Sequence, residues 1–291
     1  MQKPFVSCQI YGQLGNQFFQ IATTLAYAWD YGADAYFPAL HQKAWNISYN
    51  KDRMFFRLNS SMLPRPPAHI FEESSWYGAE KIPFQNDLVL NGYLQSWKRF
   101  HHHQEKLLQV FAPSDFTLHY LQVKYKDVLE HPKTVGVHVR TQCRRTHNNG
   151  NHPFWGMDYY QRCIDQFPED SLFVITSDRI NWCKKHFSSI PRNFIFVEDN
   201  YAIEDLFLLA KCKHNILCNS SFSWWAAYFN QNPDKKVLLP RLWKNPALQI
   251  NPRAEDFFLP EWTLMDCGPI QPLPDDVYDY DKVSQCIDNN D

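Results

Sequence analysis

The feature that most constrains this 291-residue chain is a regular alternation in its second half. Short apolar runs at residues 134–140, 172–176, 194–197, 215–218 and 237–239 are separated by helix-like stretches at 158–166, 181–186, 202–212 and 222–230. Strand and helix in strict turn argue for an α/β fold with a parallel, doubly wound sheet. In such sheets ligands bind outside the carboxyl ends of the strands. Here those ends carry Arg140, Asp178 and Ser220-Ser221. Their convergence on one sheet edge is the strongest functional signal in the residues.

His138 and Arg140 lie two residues apart, so on a strand they project to the same side. Arg offers a planar fork to phosphate oxygens, and His adds one hydrogen bond. His-x-Arg is a weak pattern, and alone it fits better a buried strand whose Arg sits in a surface salt bridge. Ser220 and Ser221 open a helix, where hydroxyls and unpaired N–H groups suit phosphate oxygens. Asp178 can accept from a ribose hydroxyl or a purine N–H. Phe222 offers a stacking face, while Trp224-Trp225 either stack or fill the core. The only Asp-x-Asp, Asp279-Tyr280-Asp281, lies in a polar tail with no strand before it, so no nucleotide-bound metal is expected. Charge on a leaving diphosphate would then be met by Arg140 and the serine loop. These parts read together as a two-domain, sugar-nucleotide-dependent transferase.

The first half is less regular. Residues 5–10 read as a strand, 11–17 as a tight turn and 18–31 as a helix with Phe18, Ile21, Leu25 and Ala28 on one stripe. The turn lacks the Rossmann glycine triplet and the phosphate-loop Lys. Residues 38–87 read as loops and short helices, 88–93 as a strand, and 102–111 as a helix, with His101-His102-His103 at its solvated start. His131-Pro132 marks a joint between domains. Residues 141–155 form a long polar loop, which favours a functional role, and Asp158 reads as the N-cap of the next helix. The domains expected are 1–131, 132–266 and a polar tail, 267–291.

A formal net charge of −2 provides no global field to recruit nucleic acid or an anionic membrane, so any anion site must be local. The eight Cys show no Cys-x-x-Cys and read as reduced thiols. Cys212, His214 and Cys218 lack a matching fourth metal ligand. No stretch reaches the ~20 apolar residues of a membrane helix. The expected location is cytoplasmic, unless a membrane anchor has been removed.

Several motifs, in order, resemble one family. Gly12-Gln13-Leu14-Gly15-Asn16-Gln17-Phe18-Phe19-Gln20 is similar to the amino-terminal motif of the α-1,2-fucosyltransferases, which include the blood-group H enzymes and bacterial relatives. Gly92-Tyr93-Leu94-Gln95-Ser96 resembles that family's Gly-Tyr-x-Gln-Ser segment. Val137-His138-Val139-Arg140 resembles the His-x-Arg donor motif shared with α-1,6- and protein O-fucosyltransferases. Asp158-Tyr159-Tyr160, Thr176-Ser177-Asp178 and Asn219-Ser220-Ser221-Phe222-Ser223-Trp224-Trp225 match later motifs, and Pro240 with Trp243, then Pro260-Glu261-Trp262, fit the carboxyl end.

The resemblance implies a GT-B architecture of two Rossmann-like domains with the site between them. It implies GDP-β-L-fucose as donor, the 2-hydroxyl of a galactoside as acceptor, inversion at the anomeric carbon, and neither cofactor nor metal. It implies that His138, Arg140, Asp178, Asn219, Ser220, Ser221 and Phe222 hold the donor, with Gly15, Asn16 and Gln17 near the fucose and diphosphate. Arg140, His138 and Asn16 are the expected catalytic residues. One departure stands out. Where the family reads His-x-Arg-Arg-Gly-Asp, Thr141 replaces the second Arg and Cys143 the Asp, and Arg144 and Arg145 follow as candidate substitutes. Two other readings stay open: a related transferase of different linkage or acceptor, and a non-catalytic sugar- or nucleotide-binding protein on the same fold.

Overall fold

The computed structural model describes residues 2–74, 77–141, 152–248 and 253–271. The described residues fall into two compact units, one formed by those up to Ser114 with residues 253–260, the other by those from Asp115 to Leu248 with residues 261–271. The division falls at Ser114/Asp115, earlier than the joint expected at 131–132, and residues 253–260 return to the first unit.

The first unit is built on a four-stranded parallel sheet. Its strands are β1 (Phe5–Cys8), β2 (Asp34–Ala35), β3 (His69–Glu72) and β4 (Leu88–Asn91), in the order β2-β1-β4-β3. Helix α1 (Leu14–Tyr31) follows β1 and buries nearly all of its first four turns, Gln17, Gln20, Thr23 and Thr24 included. Those polar side chains are tolerated inside because each finds a backbone partner. The helix starts at Leu14, so Asn16 and Gln17 belong to its first turn and not to the loop that the sequence suggests. Residues expected to be irregular include α2 (Ile47–Arg53) and the edge strand β3. Helix α3 (Gln104–Val110) follows a single 3₁₀ turn at His101–His103. The short α10 (Ala254–Phe257) packs here too, with Ser96 Oγ donating to the Asp256 carbonyl at 2.6 Å.

The second unit opens with α4 (Asp115–Lys124) and α5 (Lys126–Glu130). A six-stranded parallel sheet follows, made of β5 (Thr134–Val139), β6 (Leu172–Ser177), β7 (Asn193–Phe196), β8 (His214–Ile216), β9 (Val237–Pro240) and β10 (Thr263–Met265). Between them run α6 (Gly156–Ile164), α7 (Ile180–Phe187), α8 (Ala202–Lys211) and α9 (Ser221–Phe229). The strand order is β10-β9-β8-β5-β6-β7. The chain moves outward from β5 through β6 and β7, then returns to the other side of β5 as β8 and moves outward again. The direction reverses between β5 and β8. All of β5 is buried, as expected of a central strand covered on both faces. Gly136 lets α8 pack closely on this strand: a Cβ there would lie 3.0 Å from Leu209 Cδ2 and 3.2 Å from the Leu209 carbonyl, tight enough that a neighbour would have to give way slightly.

Trp224 and Trp225 resolve as core. Both are fully buried, and Trp224 stacks on Tyr228 at 5.1 Å and meets Trp262 edge-on at 5.2 Å. Asp158 is not an N-cap. Trp155 holds that position, and Asp158 sits in the first turn of α6, where its charge suits the helix dipole. The six described Cys are free and buried. Cys212, His214 and Cys218 do not converge: Cys212 Sγ donates to Leu208 O, and His214 Nδ1 accepts from Lys236 N–H at 3.0 Å. No helix among the described residues is long and apolar enough to cross a membrane.

Candidate active site

The strand order reverses between β5 and β8, and the carboxyl ends of strands flanking such a reversal are where open α/β sheets bind ligands. The expected residues of the second unit gather there. His138 is the fifth residue of β5, Arg140 follows the strand, Asp178 follows the neighbouring β6, and Asn219-Ser220 join β8 to α9. Cys218 Sγ lies 3.2 Å from His138 Nδ1, and the Phe222 ring is 4.9 Å from the imidazole, so the two strand ends are in contact.

His138 is almost wholly buried. Burial strips its solvation and the Arg140 guanidinium repels a second positive charge, so its pKa falls to about 3 against a weaker opposing pull from Asp178. At neutral pH the imidazole is uncharged. It can donate one hydrogen bond but adds no cation. Burial pushes the Cys218 thiol up to about 12, so it too stays neutral.

Arg140 keeps a third of its side chain exposed, while Asp178 keeps 4%. Asp178 Oδ2 is 3.5 Å from Arg140 Nε, and Oδ1 accepts from the Thr141 N–H at 2.9 Å and hydroxyl at 3.3 Å. The Asp178 carboxylate therefore braces the backbone just after β5 through Oδ1 and pairs with the guanidinium through Oδ2. Thr141 is fully buried, with its hydroxyl turned to that carboxylate. A second projecting Arg at this position is replaced by a brace for the first. Arg144, Arg145 and Cys143 lie outside the described residues.

Ser220 caps α9: its Oγ accepts from the Phe222 N–H at 3.3 Å, and Ser221 is the first helical residue. The end of α9 presents N–H groups and a partial positive charge beside β5. Asn219 Nδ2 donates to Pro153 O at 3.0 Å, so this amide fastens the turn instead of facing outward.

Two residues absent from the sequence-based set join this group. Lys244 Nζ donates to His152 Nε2 at 2.6 Å, and both side chains are largely buried. Burial lowers the Lys244 pKa to about 8. It lowers His152 to about 3, helped by repulsion from Lys244 and then Arg140 and opposed by a backbone hydrogen bond to Asn219. A neutral His152 thus accepts from Lys244 and is tied to Asn219, with Arg140 close enough to be felt. Lys244 immediately follows Trp243, a motif position, and that adjacency was the only sequence signal.

In the first unit, the turns after β1 and β4 meet. Gly12 has φ +77°, and a Cβ there would fall 2.4 Å from Asn16 Nδ2, so both conformation and space demand glycine. Half-buried Asn16 accepts from Gln95 Nε2 at 2.8 Å. Gly15 is buried in the same helical turn. Gln17 is fully buried: Nε2 donates to Gly12 O at 2.8 Å and Trp45 O at 3.0 Å, and Oε1 accepts from Asn50 at 2.8 Å. Both amide hydrogens are engaged, so Gln17 holds the turn in which Asn16 lies.

The sequence profile described as Glycosyl transferase family 11 matches residues 5–266. Galactoside alpha-(1,2)-fucosyltransferase 2 of Hylobates lar is 31% identical over 274 residues, covering 87% of this chain and 76% of that protein. Galactoside alpha-(1,2)-fucosyltransferase 1 of Sus scrofa is 31% identical over 293 residues, covering 90% and 76%. The O-antigen biosynthesis glycosyltransferase WbnK of Escherichia coli is 30% identical over 173 residues, 56% of this chain and 57% of that protein, so this match spans little more than half of either. Among solved structures, NodZ alpha-1,6-fucosyltransferase soaked with GDP-fucose superposes with a TM-score of 0.55 at 13% identity, covering 78% of this chain and 93% of that one. Fucosyltransferase NodZ from Bradyrhizobium gives 0.54 at 12%, covering 78% and 92%. Identity this low speaks for the fold alone: two Rossmann-like units of GT-B type.

Proposed function

The chain belongs to glycosyl transferase family 11, and from that premise we propose that it transfers L-fucose from GDP-β-L-fucose to the 2-hydroxyl of a galactoside, with inversion at the anomeric carbon. The observation that carries this reading is the pair of braced cations, Arg140 on Asp178 and Lys244 on His152, at the β5/β8 reversal. Breaking the bond between fucose and GDP leaves negative charge on the β-phosphate, and groups fixed before the reaction stabilise it most. Arg140 is fixed by Asp178 and the end of β5. Lys244 is fixed by His152, and the N-terminus of α9 by the Ser220 cap. These supply the positive charge, so the transfer proceeds without a metal ion. Ser221 and Phe222 lie beside the diphosphate and nucleoside, and Asn16 orients the reacting sugar. His138, neutral and buried, is a weak base, and its part is to donate a hydrogen bond and orient the donor.

The test is incubation with labelled GDP-fucose and a panel of β-galactosides, with and without chelator, followed by linkage analysis. An α-1,2-fucosylated product, unaffected by chelator, is expected. Transfer to another hydroxyl would favour the second reading, a different linkage, which the Thr141 replacement motivates. GDP-fucose binding with neither transfer nor hydrolysis would reduce the protein to a binding module. Loss of activity on chelation would remove the metal-free mechanism.

A further inference from the structure

The histidine run that reads as a solvated helix start does something else. His102 Nε2 and His103 Nε2 lie 2.9 and 2.7 Å from the same oxygen, Asp30 Oδ1. The three ligand atoms are all within 4.8 Å of one another. Asp30 is the penultimate residue of α1, and both histidines belong to the 3₁₀ turn that leads into α3. Their rings are 4.4 Å apart, and His103 packs edge-on against Trp29 at 5.1 Å. Adjacent residues usually diverge; here the tight turn aims both imidazoles at one carboxylate.

We propose that Asp30, His102 and His103 form a binding site for a divalent cation of the zinc class, clasping the end of α1 to the turn before α3. Two imidazole nitrogens and a carboxylate oxygen suit Zn²⁺, Ni²⁺ or Cu²⁺, whereas Mg²⁺ and Ca²⁺ prefer oxygen alone. Bonds of about 2.0–2.1 Å at tetrahedral angles require each Nε2–Oδ1 spacing to widen by only about half an ångström. A bound cation would take the Nε2 lone pair of each imidazole and one carboxylate oxygen, replacing the present contacts between the histidines and Asp30. Because the three side chains already converge, binding loses little conformational entropy. Three protein ligands leave one position to water. Asn16 lies fourteen residues away at the other end of α1, about 21 Å along the helix, so this site stabilises the first unit and takes no part in transfer.

The test is calorimetry of the full chain with Zn²⁺, beside thermal unfolding and tryptophan quenching by Ni²⁺. One saturable site and a rise in Tm are expected. His102→Gln, at the more exposed ligand, should weaken binding by at least about tenfold, as should Asp30→Asn, and the His102→Gln/His103→Gln pair should abolish the Tm rise. Trp29→Phe should bind Zn²⁺ normally but lose the saturable part of the quenching. GDP affinity should be the same with and without Zn²⁺, a readout independent of the donor site. Zn²⁺ binding unchanged in the histidine pair would assign it to other groups and overturn the proposal, as would the lack of a saturable site in the wild-type chain.

Discussion

The central strands of the two sheets end in different chemistry. After β1 and β4 the groups are neutral amides: Asn16 joined to Gln95, Gln17 holding Gly12 O, and Gln20 holding Gly92 O at 3.2 Å. After β5 and β8 they are cations and a helix N-terminus: Arg140 on Asp178, Lys244 on His152, and capped α9. The same sheet geometry thus serves two tasks. Amides hold a backbone shape and can address hydroxyls, while preorganised cations meet the charge of a diphosphate. Substitution in the first unit should therefore act through shape, and in the second through charge.

The largest effect is expected at Arg140. Arg140→Ala should lower kcat by about 10²–10³ in the protein that remains folded, because it removes a preorganised donor to developing charge, and should also lower Tm, because it leaves the buried Asp178 carboxylate without its counter-ion. Arg140→Lys should remain severely impaired, since an ammonium cannot reproduce the fork braced by Asp178. Near-normal turnover of Arg140→Ala would erase the contrast between the two units. Neighbours in the first unit sharpen it. Asn16→Ala should cost turnover well beyond any loss of stability. Gln17→Ala should do the reverse, because it leaves buried partners unpaired at about 1–3 kcal/mol each. A Gln17→Ala protein of normal Tm would show that this hydrogen-bond network is not holding the turn.

Much of this was legible in the sequence, and the misses share a cause. The alternation of apolar runs located β5 to β9 to within a few residues, because buried parallel strands read as continuous apolar stretches. Strand β3 left no such trace: three of its four residues are exposed, and only pairing with β4 makes it a strand. Arg140, Ser220 and Asn16 stood out because strand ends and glycine turns are local features. Lys244 and His152 did not, because a contact across 92 positions has no local signature. The bracing contact of Asp178 was hidden for the same reason, since its partner Thr141 lies 37 residues earlier. Asp30 and the histidine pair, 72 residues apart, escaped likewise.

The smallest expected effect is the most diagnostic of how the second unit is charged. A charge-assisted hydrogen bond from Lys244 to a phosphate oxygen is worth about 1.5–3 kcal/mol, so Lys244→Met should weaken GDP binding at pH 7 by about tenfold or more. The lysine is cationic below its pKa of about 8 and neutral above it. GDP favours the cation, so binding takes up a proton once the free site has lost one. Wild-type affinity should then fall as pH rises past 8, while that of Lys244→Met should not share this fall. The two curves should converge towards pH 9.5. Titration of GDP itself is common to both proteins and cancels. Stability should run the other way. In the unfolded chain Lys244 keeps its proton up to the ordinary lysine value, so the cost of burying the ammonium is fully present below about pH 8 and is relieved as pH rises through it. Wild type should gain on Lys244→Met in Tm over the same interval in which it loses its advantage for GDP. Parallel curves with no convergence would mean that Lys244 acts through packing alone. If Arg144→Ala/Arg145→Ala lost more GDP affinity at pH 7 than Lys244→Met, the second positive charge would belong to the polar loop and not to the buried lysine.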